Sequence, residues 1–178
     1  MAARSELDDH HRRVLGIALA VLLLLGVGVS GWQGWRLANE EPGTTSVAGT
    51  AERDAAINAA DEALLAFNTI DYQHIDPILD RWSELSSGKL HASVTAGRKA
   101  VTREVTRART VTSARLVGSA LTSYDDDAGT ATVVAVVDIR SKTRGRAEKS
   151  KTTRFTCLVQ RSGSSWKLSA MQTMEAQS

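Results

Sequence analysis

The sequence predicts an α+β domain carried on a single amino-terminal transmembrane helix: three helices packed on one face of a curved antiparallel sheet of four strands. Three patterns predict it. Val14 to Trp35 form a run without one charged side chain. From Ala56 to Ala108 apolar residues recur at steps of three and four, the period of helices with one buried face. From Leu116 to Met174 they alternate in short segments between turn residues, the period of half-buried strands. Beyond the uncharged run and a linker about 130 of the 178 residues remain, enough for one domain with a real core and too few for two.

At about 1.5 Å per residue the uncharged run reaches about 33 Å, against a hydrocarbon core of about 30 Å, so it fits one crossing of a bilayer. Trp32 and Trp35 close the run with rings that prefer the headgroup level, and Arg36 follows, marking the far interface. Arg4, Arg12 and Arg13 precede the run and only Arg36 follows it closely, which sets the amino terminus in the cytoplasm. A cleaved signal peptide is the competing reading, through the small residues Gly28, Ser30 and Gly31, but the run is long for a signal core. The chain is thus expected to divide into a cytoplasmic tail (1–13), a single-pass helix in the inner (plasma) membrane (14–35), a linker containing Pro42 (36–50) and an extracytoplasmic domain (51–178). Gly31 and Gly34 offer a small-residue patch on the membrane helix, which leaves self-association open.

The elements follow in order. Thr50 is a suitable N-cap for a first helix with Glu52 and Asp54 in its first turn, where the helix dipole favours anions. Ala56, Ala60, Ala63, Leu64 and Phe67 make its buried face. Asn68 to Gln73 interrupts the period, which resumes through Ile75, Ile78, Leu79, Trp82 and Leu85, with Pro77 in the first turn and Ser86-Ser87-Gly88 as the stop. A third helix sets Leu90, Val94, Val101, Val105 and Ala108 on one side. On its other side Lys99, Arg103 and Arg107, joined by Arg98 and Arg109, form a basic outer stripe. Four strands are expected over 116–124, 130–143, 151–161 and 165–174, with Asp125-Asp126-Asp127-Ala128-Gly129 and Ser162-Gly163-Ser164 as turns. Phe67, Trp82, Val133, Val137 and Trp166 are expected in the core.

The net charge of +2 points to no partner, but its distribution is segregated: acidic from Glu40 to Glu84, basic from Lys89 to Arg115 and again from Arg140 to Lys167. The side chains suited to proton transfer are Asp138, Tyr124, Tyr72 and His91, and catalysis needs them to converge in an apolar pocket. Asp138 alternates opposite to Val133, Val137 and Ile139, so it faces away from the apolar side. Cys157, alone in Phe155-Thr156-Cys157-Leu158-Val159, reads as a small buried residue. The histidines lack the spacing of a metal site and no Gly-rich loop follows a strand, so no metal or cofactor is expected. The basic segment Arg140 to Lys151 invites a nucleic-acid reading, which the expected extracytoplasmic location opposes. Candidate partner contacts are Lys99, Arg103, Arg107, Arg144 and Arg146.

An amino-terminal anchor, an Ala-rich helix ending in Leu64-Leu65-Ala66-Phe67-Asn68-Thr69-Ile70-Asp71-Tyr72, a Ser87-Gly88-Lys89-Leu90 break and a meander closing on Trp166-Lys167-Leu168 resemble the Mce-associated membrane proteins. These accompany mammalian cell entry (Mce) lipid importers in bacteria with mycolate-type envelopes. The resemblance implies a nuclear transport factor 2-like cone, similar to the inner-membrane bridging subunit of type IV secretion machines. It also implies a non-enzymatic role, assembling or stabilising the importer, with Mce-type transporter subunits or related envelope proteins as partners and membrane lipid met through the anchor. The alternative is a membrane-tethered cone that itself binds, or acts on, a lipid or sterol-like ligand.

Overall fold

The computed structural model describes residues 47–174. The expected membrane helix, with Trp32, Trp35 and Arg36 at its edge, lies outside the described residues; within them no helix is long and apolar enough to cross a membrane. The order is α1 (Val47–Phe67), β1 (Ile70–Asp71), α2 (Ile75–Leu85), α3 (Gly88–Ala108), β2 (Val111–Asp125), β3 (Thr130–Lys142), β4 (Lys149–Ser162) and β5 (Ser165–Met174). All strand pairs are antiparallel and neighbours follow chain order.

Two expectations are corrected. The sheet has five strands, because Ile70 and Asp71 pair with Thr112 and Val111; two residues are too short to show an alternating period. The first helix starts at Val47, so Thr50 lies within it and Glu52 and Asp54 fall past its first turn. Gly49 did not stop it, since a glycine costs a helix only about 1 kcal/mol relative to alanine.

Packing follows the predicted stripes. Ala56, Ala60 and Ala63 are at most 1% exposed, and their small side chains let α1 lie close against the sheet. Side chains close the end of α1: Asn68 Nδ2 donates to the Leu64 carbonyl at 2.8 Å, and Thr69 Oγ1 to that of Leu65 at 2.8 Å, satisfying carbonyls the last turn leaves free. Trp82 of α2 stacks on Phe67, ring centroids 5.0 Å apart, and its Nε1 donates to the Ala66 carbonyl at 2.8 Å. Ile75, Leu79, Leu90 and Val105 complete the helical side of one core cluster. The sheet supplies Val133, Val137, Phe155, Cys157, Val159, Trp166 and Leu168, all 8% exposed or less.

One carboxylate enters this layer. Asp61 on α1 accepts a hydrogen bond from Ser119 Oγ at 2.8 Å, while its Oδ1 is buried without a partner. Burial raises its pKa above the ordinary value, and the Ser119 bond opposes the rise.

Candidate partner-binding pole

The register of β2 against β3 sets the two ends of the domain. Asp125 pairs with Thr130 at one end and Val111 with Lys142 at the other. α1 begins beside the first end, where Glu52 meets Arg161 and Trp166, and at about 1.5 Å per residue its 21 residues run about 31 Å toward the second.

The first end is acidic and clasped. Glu52, Asp54, Asp125, Asp126 and Asp127 gather there with Arg53 and Arg161. Arg161 donates to Asp126 at 2.7 Å, to Glu52 at 3.1 Å and to the Tyr124 hydroxyl at 3.3 Å, and lies over the Trp166 ring at 5.0 Å. Trp166 Nε1 donates to the same Glu52 oxygen at 3.3 Å, and Arg53 lies over Tyr124 at 5.2 Å. The hydrogen bonds from Arg161 and then Tyr124 hold the Asp126 carboxyl below its usual pKa. Gly129 shapes the turn: its φ is +60°, and a Cβ there would press to 3.1 Å on Arg161 Cβ.

The second end is basic and open. The Arg144 backbone N–H donates to the Ala108 carbonyl at 3.2 Å, so the β3–β4 loop docks on the last turn of α3. This bond merges two basic stretches that are far apart in sequence. Arg107 and Arg109 from α3 meet Arg140, Lys142, Arg144, Arg146, Lys149 and Lys151 from the hairpin, all exposed, against Asp71, Glu104 and Glu148. Arg107 bonds Glu104 at 2.8 Å. Among the described residues the other seven form no ion pair. Arg109 caps α3 in the left-handed region, φ 48°, a position that favours glycine.

Of the predicted contacts, Arg107, Arg144 and Arg146 lie in this pole, while Lys99 and Arg103 are exposed along α3 leading up to it. Arg98 does not belong to the open stripe: it pairs with Asp80 at 2.5 Å and Asp76 at 3.5 Å, and so ties α3 to α2. The reason is position on the helix, since α2 packs along α3 where Arg98 emerges. Outside the pole, Arg81 pairs with Glu62 and Glu84, and Arg115 with Asp138 at 2.6 Å. Arg53, Arg103 and Arg154, the last on the outer sheet face, form no ion pair among the described residues. Sequence reading found both basic stretches and missed their union. Counting strand pairs back from the Asp125 turn sets Lys142 opposite Ser113, already close to Arg109, and the two bulges in β2 shift its partner to Val111, two residues after Arg109.

The proton-transfer candidates are dispersed. Asp138 sits on the outward sheet face, its carboxyl held below the usual range by Thr152 and then Arg115. Tyr124 is in the acidic clasp, Tyr72 joins β1 to Thr110, and His91 Nδ1 lies 2.9 Å from the Ser83 carbonyl. Cys157 is fully buried, and burial, then the Asp61 charge, pushes its pKa up to about 12.

No family model matches the sequence, and no curated protein matches it. Solved structures share the fold. An IcmL-like type IV secretion system protein from Legionella pneumophila aligns at 14% identity and a TM-score of 0.55, over 76% of this chain and 97% of that one. The periplasmic domain of DotI aligns at 12% and 0.55, over 76% and 100%. VirB8 of Agrobacterium tumefaciens aligns at 10% and 0.51, over 76% and 99%. At these identities the likeness establishes the architecture: an α+β cone with helices on one face of an open antiparallel sheet.

Proposed function

We propose that this protein is a single-pass, membrane-anchored, non-enzymatic accessory protein whose extracytoplasmic domain assembles or stabilises an envelope complex, an Mce-type lipid importer in particular. The observation that carries the reading is the basic pole, where seven cationic side chains stand exposed without ion-pair partners among the described residues. Like charges gathered on one surface repel one another, so the cluster slightly opposes folding and gains its use when an acidic face arrives. Complementary charge of this kind speeds encounter and fixes register more than it adds raw affinity. Three further features support the reading. The uncharged run over 14–35 is suited to an anchor. Inward side chains of α1 and the sheet form one packed cluster, as expected of a cone filled by its own residues. The neighbours in fold include a type IV secretion system protein and the periplasmic domain of DotI. The importer itself is proposed from the sequence resemblance.

The test is crosslinking in native membranes, followed by purification in mild detergent and identification of the bound proteins. The expected result is recovery of Mce-type transporter subunits, lost on reversal of Arg144 and Arg146 to Glu. Equal recovery by the reversed protein would reject the pole as the docking surface. Capture of a defined envelope complex without any Mce subunit would reject the importer and keep the pole.

A further inference from the structure

We infer that copies of this chain associate head to tail, the acidic end of one domain docking on the basic pole of the next. The inference rests on the proposed use of the pole as a docking surface and names the acidic face that meets it. The clasp at the acidic end uses Glu52 and Asp126 within the chain. It leaves carboxylates over. Asp54 and Asp127 are exposed, Asp125 is half-buried, and none of the three forms an ion pair among the described residues. Asp125 accepts the Ala128 backbone N–H at 2.8 Å and so fixes the turn that presents Asp127. Against these carboxylates stand Arg53, Arg161 and Lys167, the last paired with Gln160 beside the clasp, so this end stays net negative. The exposed carboxylates between the two ends, Glu62, Asp76, Asp80 and Glu84, are all paired with arginines. Unused negative charge is therefore concentrated opposite the pole.

Opposite charge at opposite ends decides between the ways in which two copies can meet. A two-fold contact through either end sets like charges together, pole on pole or acid on acid. A head-to-tail contact sets unlike charges together, so the spare carboxylates of one copy neutralise unpaired cations of the next. The same neutralisation cannot occur within one chain. The 21 residues of α1 keep the two ends about 31 Å apart, about four screening lengths of about 8 Å at physiological salt.

Both ends also expose apolar atoms among their charges. Val111, paired with Lys142 and 41% exposed, stands in the pole. Ala51 and Ala55 are exposed beside Asp54, since residues one turn apart share one side of a helix. Apolar side chains inside a charged rim are the makeup of a contact surface. Because the contact joins unlike ends, it leaves an acidic end and a pole free at the two ends of the row, which then extends to further copies or closes into a ring.

The test is sedimentation of the full chain in a mild non-ionic detergent at low salt. The parent is expected to self-associate, and less so as added salt screens the charges. One variant reverses the pole, Arg144→Glu with Arg146→Glu, and another the acidic end, Asp54→Lys with Asp127→Lys. None of these four residues forms an ion pair among the described residues, so thermal midpoints are expected to hold. Each variant alone is expected to raise the dissociation constant about tenfold or more. An equal mixture of the two is expected to recover association, because the native acidic end of the first fits the native pole of the second. Asp54→Asn with Asp127→Asn, which removes charge without reversing it, is expected to fall between. A monomeric parent, self-association unchanged by reversal of the acidic end, or a mixture no tighter than its components would overturn the inference. Recovery of partners from native membranes reports on the docking reading separately, since the acidic-end variant keeps the pole intact. A monomeric parent whose envelope partner is lost on pole reversal and kept on acidic-end reversal would overturn the head-to-tail contact and leave the pole as a docking surface for a different protein.

Discussion

At the end of the sheet where α1 begins, Glu52, Asp126 and Arg161 hold one another against Tyr124 and Trp166, whereas at the far end Arg109, Arg144 and Arg146 face solvent without ion pairs among the described residues. The same residue type does different work at the two ends, and its surroundings decide which. Arg161 is half-buried by an aromatic ring and meets two carboxylates, so folding uses its charge. Arg144 follows a strand, joins α3 through its backbone only, and leaves its guanidinium in water. The difference teaches how to read charge in a small domain: Arg161 and Arg98 tie separate elements together, whereas the clustered arginines of the far end form no ion pair between elements among the described residues.

The largest effect is expected at the clasped end. Trp166 is 8% exposed, contacts Tyr124 with ring centroids 5.9 Å apart, supports Arg161 and donates to Glu52. Trp166→Ala should therefore cost about 3 to 5 kcal/mol in denaturant unfolding. A cost under about 1 kcal/mol, the size of an ordinary surface change, would dissolve the distinction between the two ends. Arg161→Ala should lower the thermal midpoint by a smaller margin, since its carboxylate partners remain in water.

A smaller effect separates carboxylates by sign. Asp126 has its pKa lowered by Arg161 and Tyr124, so it contributes stability above the ordinary value of 3.8 that is lost as pH falls through its folded value. Asp61 has its pKa raised by burial, so its charge opposes folding at neutral pH, and that cost disappears as pH falls toward 3.8. Asp61→Asn keeps an acceptor for Ser119 and should raise the thermal midpoint at pH 7, with the gap closing near pH 4. Asp126→Asn should lower it at pH 7, with its gap closing at still lower pH. Midpoints of the same sign for the two variants at pH 7 would refute the assignment.

Much of this architecture is legible in the sequence, and the losses have physical causes. Ile75, Leu79 and Trp82 announce α2 because burial on one side imposes the helical period, and Val133 and Val137 announce β3 because inward residues alternate. β1 is invisible because two residues carry no period, and its existence depends on the distant Val111 and Thr112. The start of α1 at Val47 is hidden because Gly49 and Thr50 resemble linker chemistry. Arg98 looks identical in sequence to Arg103, five residues on; only the position of Asp76 and Asp80 across the helix pair distinguishes a joint from an open charge. The basic pole is the extreme case: each half is plain in the sequence, and one backbone bond from Arg144 to Ala108 makes them a single surface.

The smallest effect on folding, and the most informative about the contrast, is expected from charge reversal at the open end. Arg103 and Arg107 are both exposed on α3, and Arg107 bonds Glu104 one turn earlier. Reversing both to Glu removes that surface pair, a loss of a few tenths of a kcal/mol, and relieves repulsion within the stripe by a similar amount. Reversing Arg144 and Arg146 removes no ion pair among the described residues and leaves the Arg144 backbone bond in place. The fourfold reversal should therefore keep stability within about 0.5 kcal/mol while weakening association with an acidic partner and flattening its dependence on salt. Unfolding and partner recovery, measured on the same preparation, decide the matter. A midpoint lowered by many degrees with recovery unchanged would mean that the pole holds the domain together as the acidic clasp does, and the two ends would no longer differ in kind.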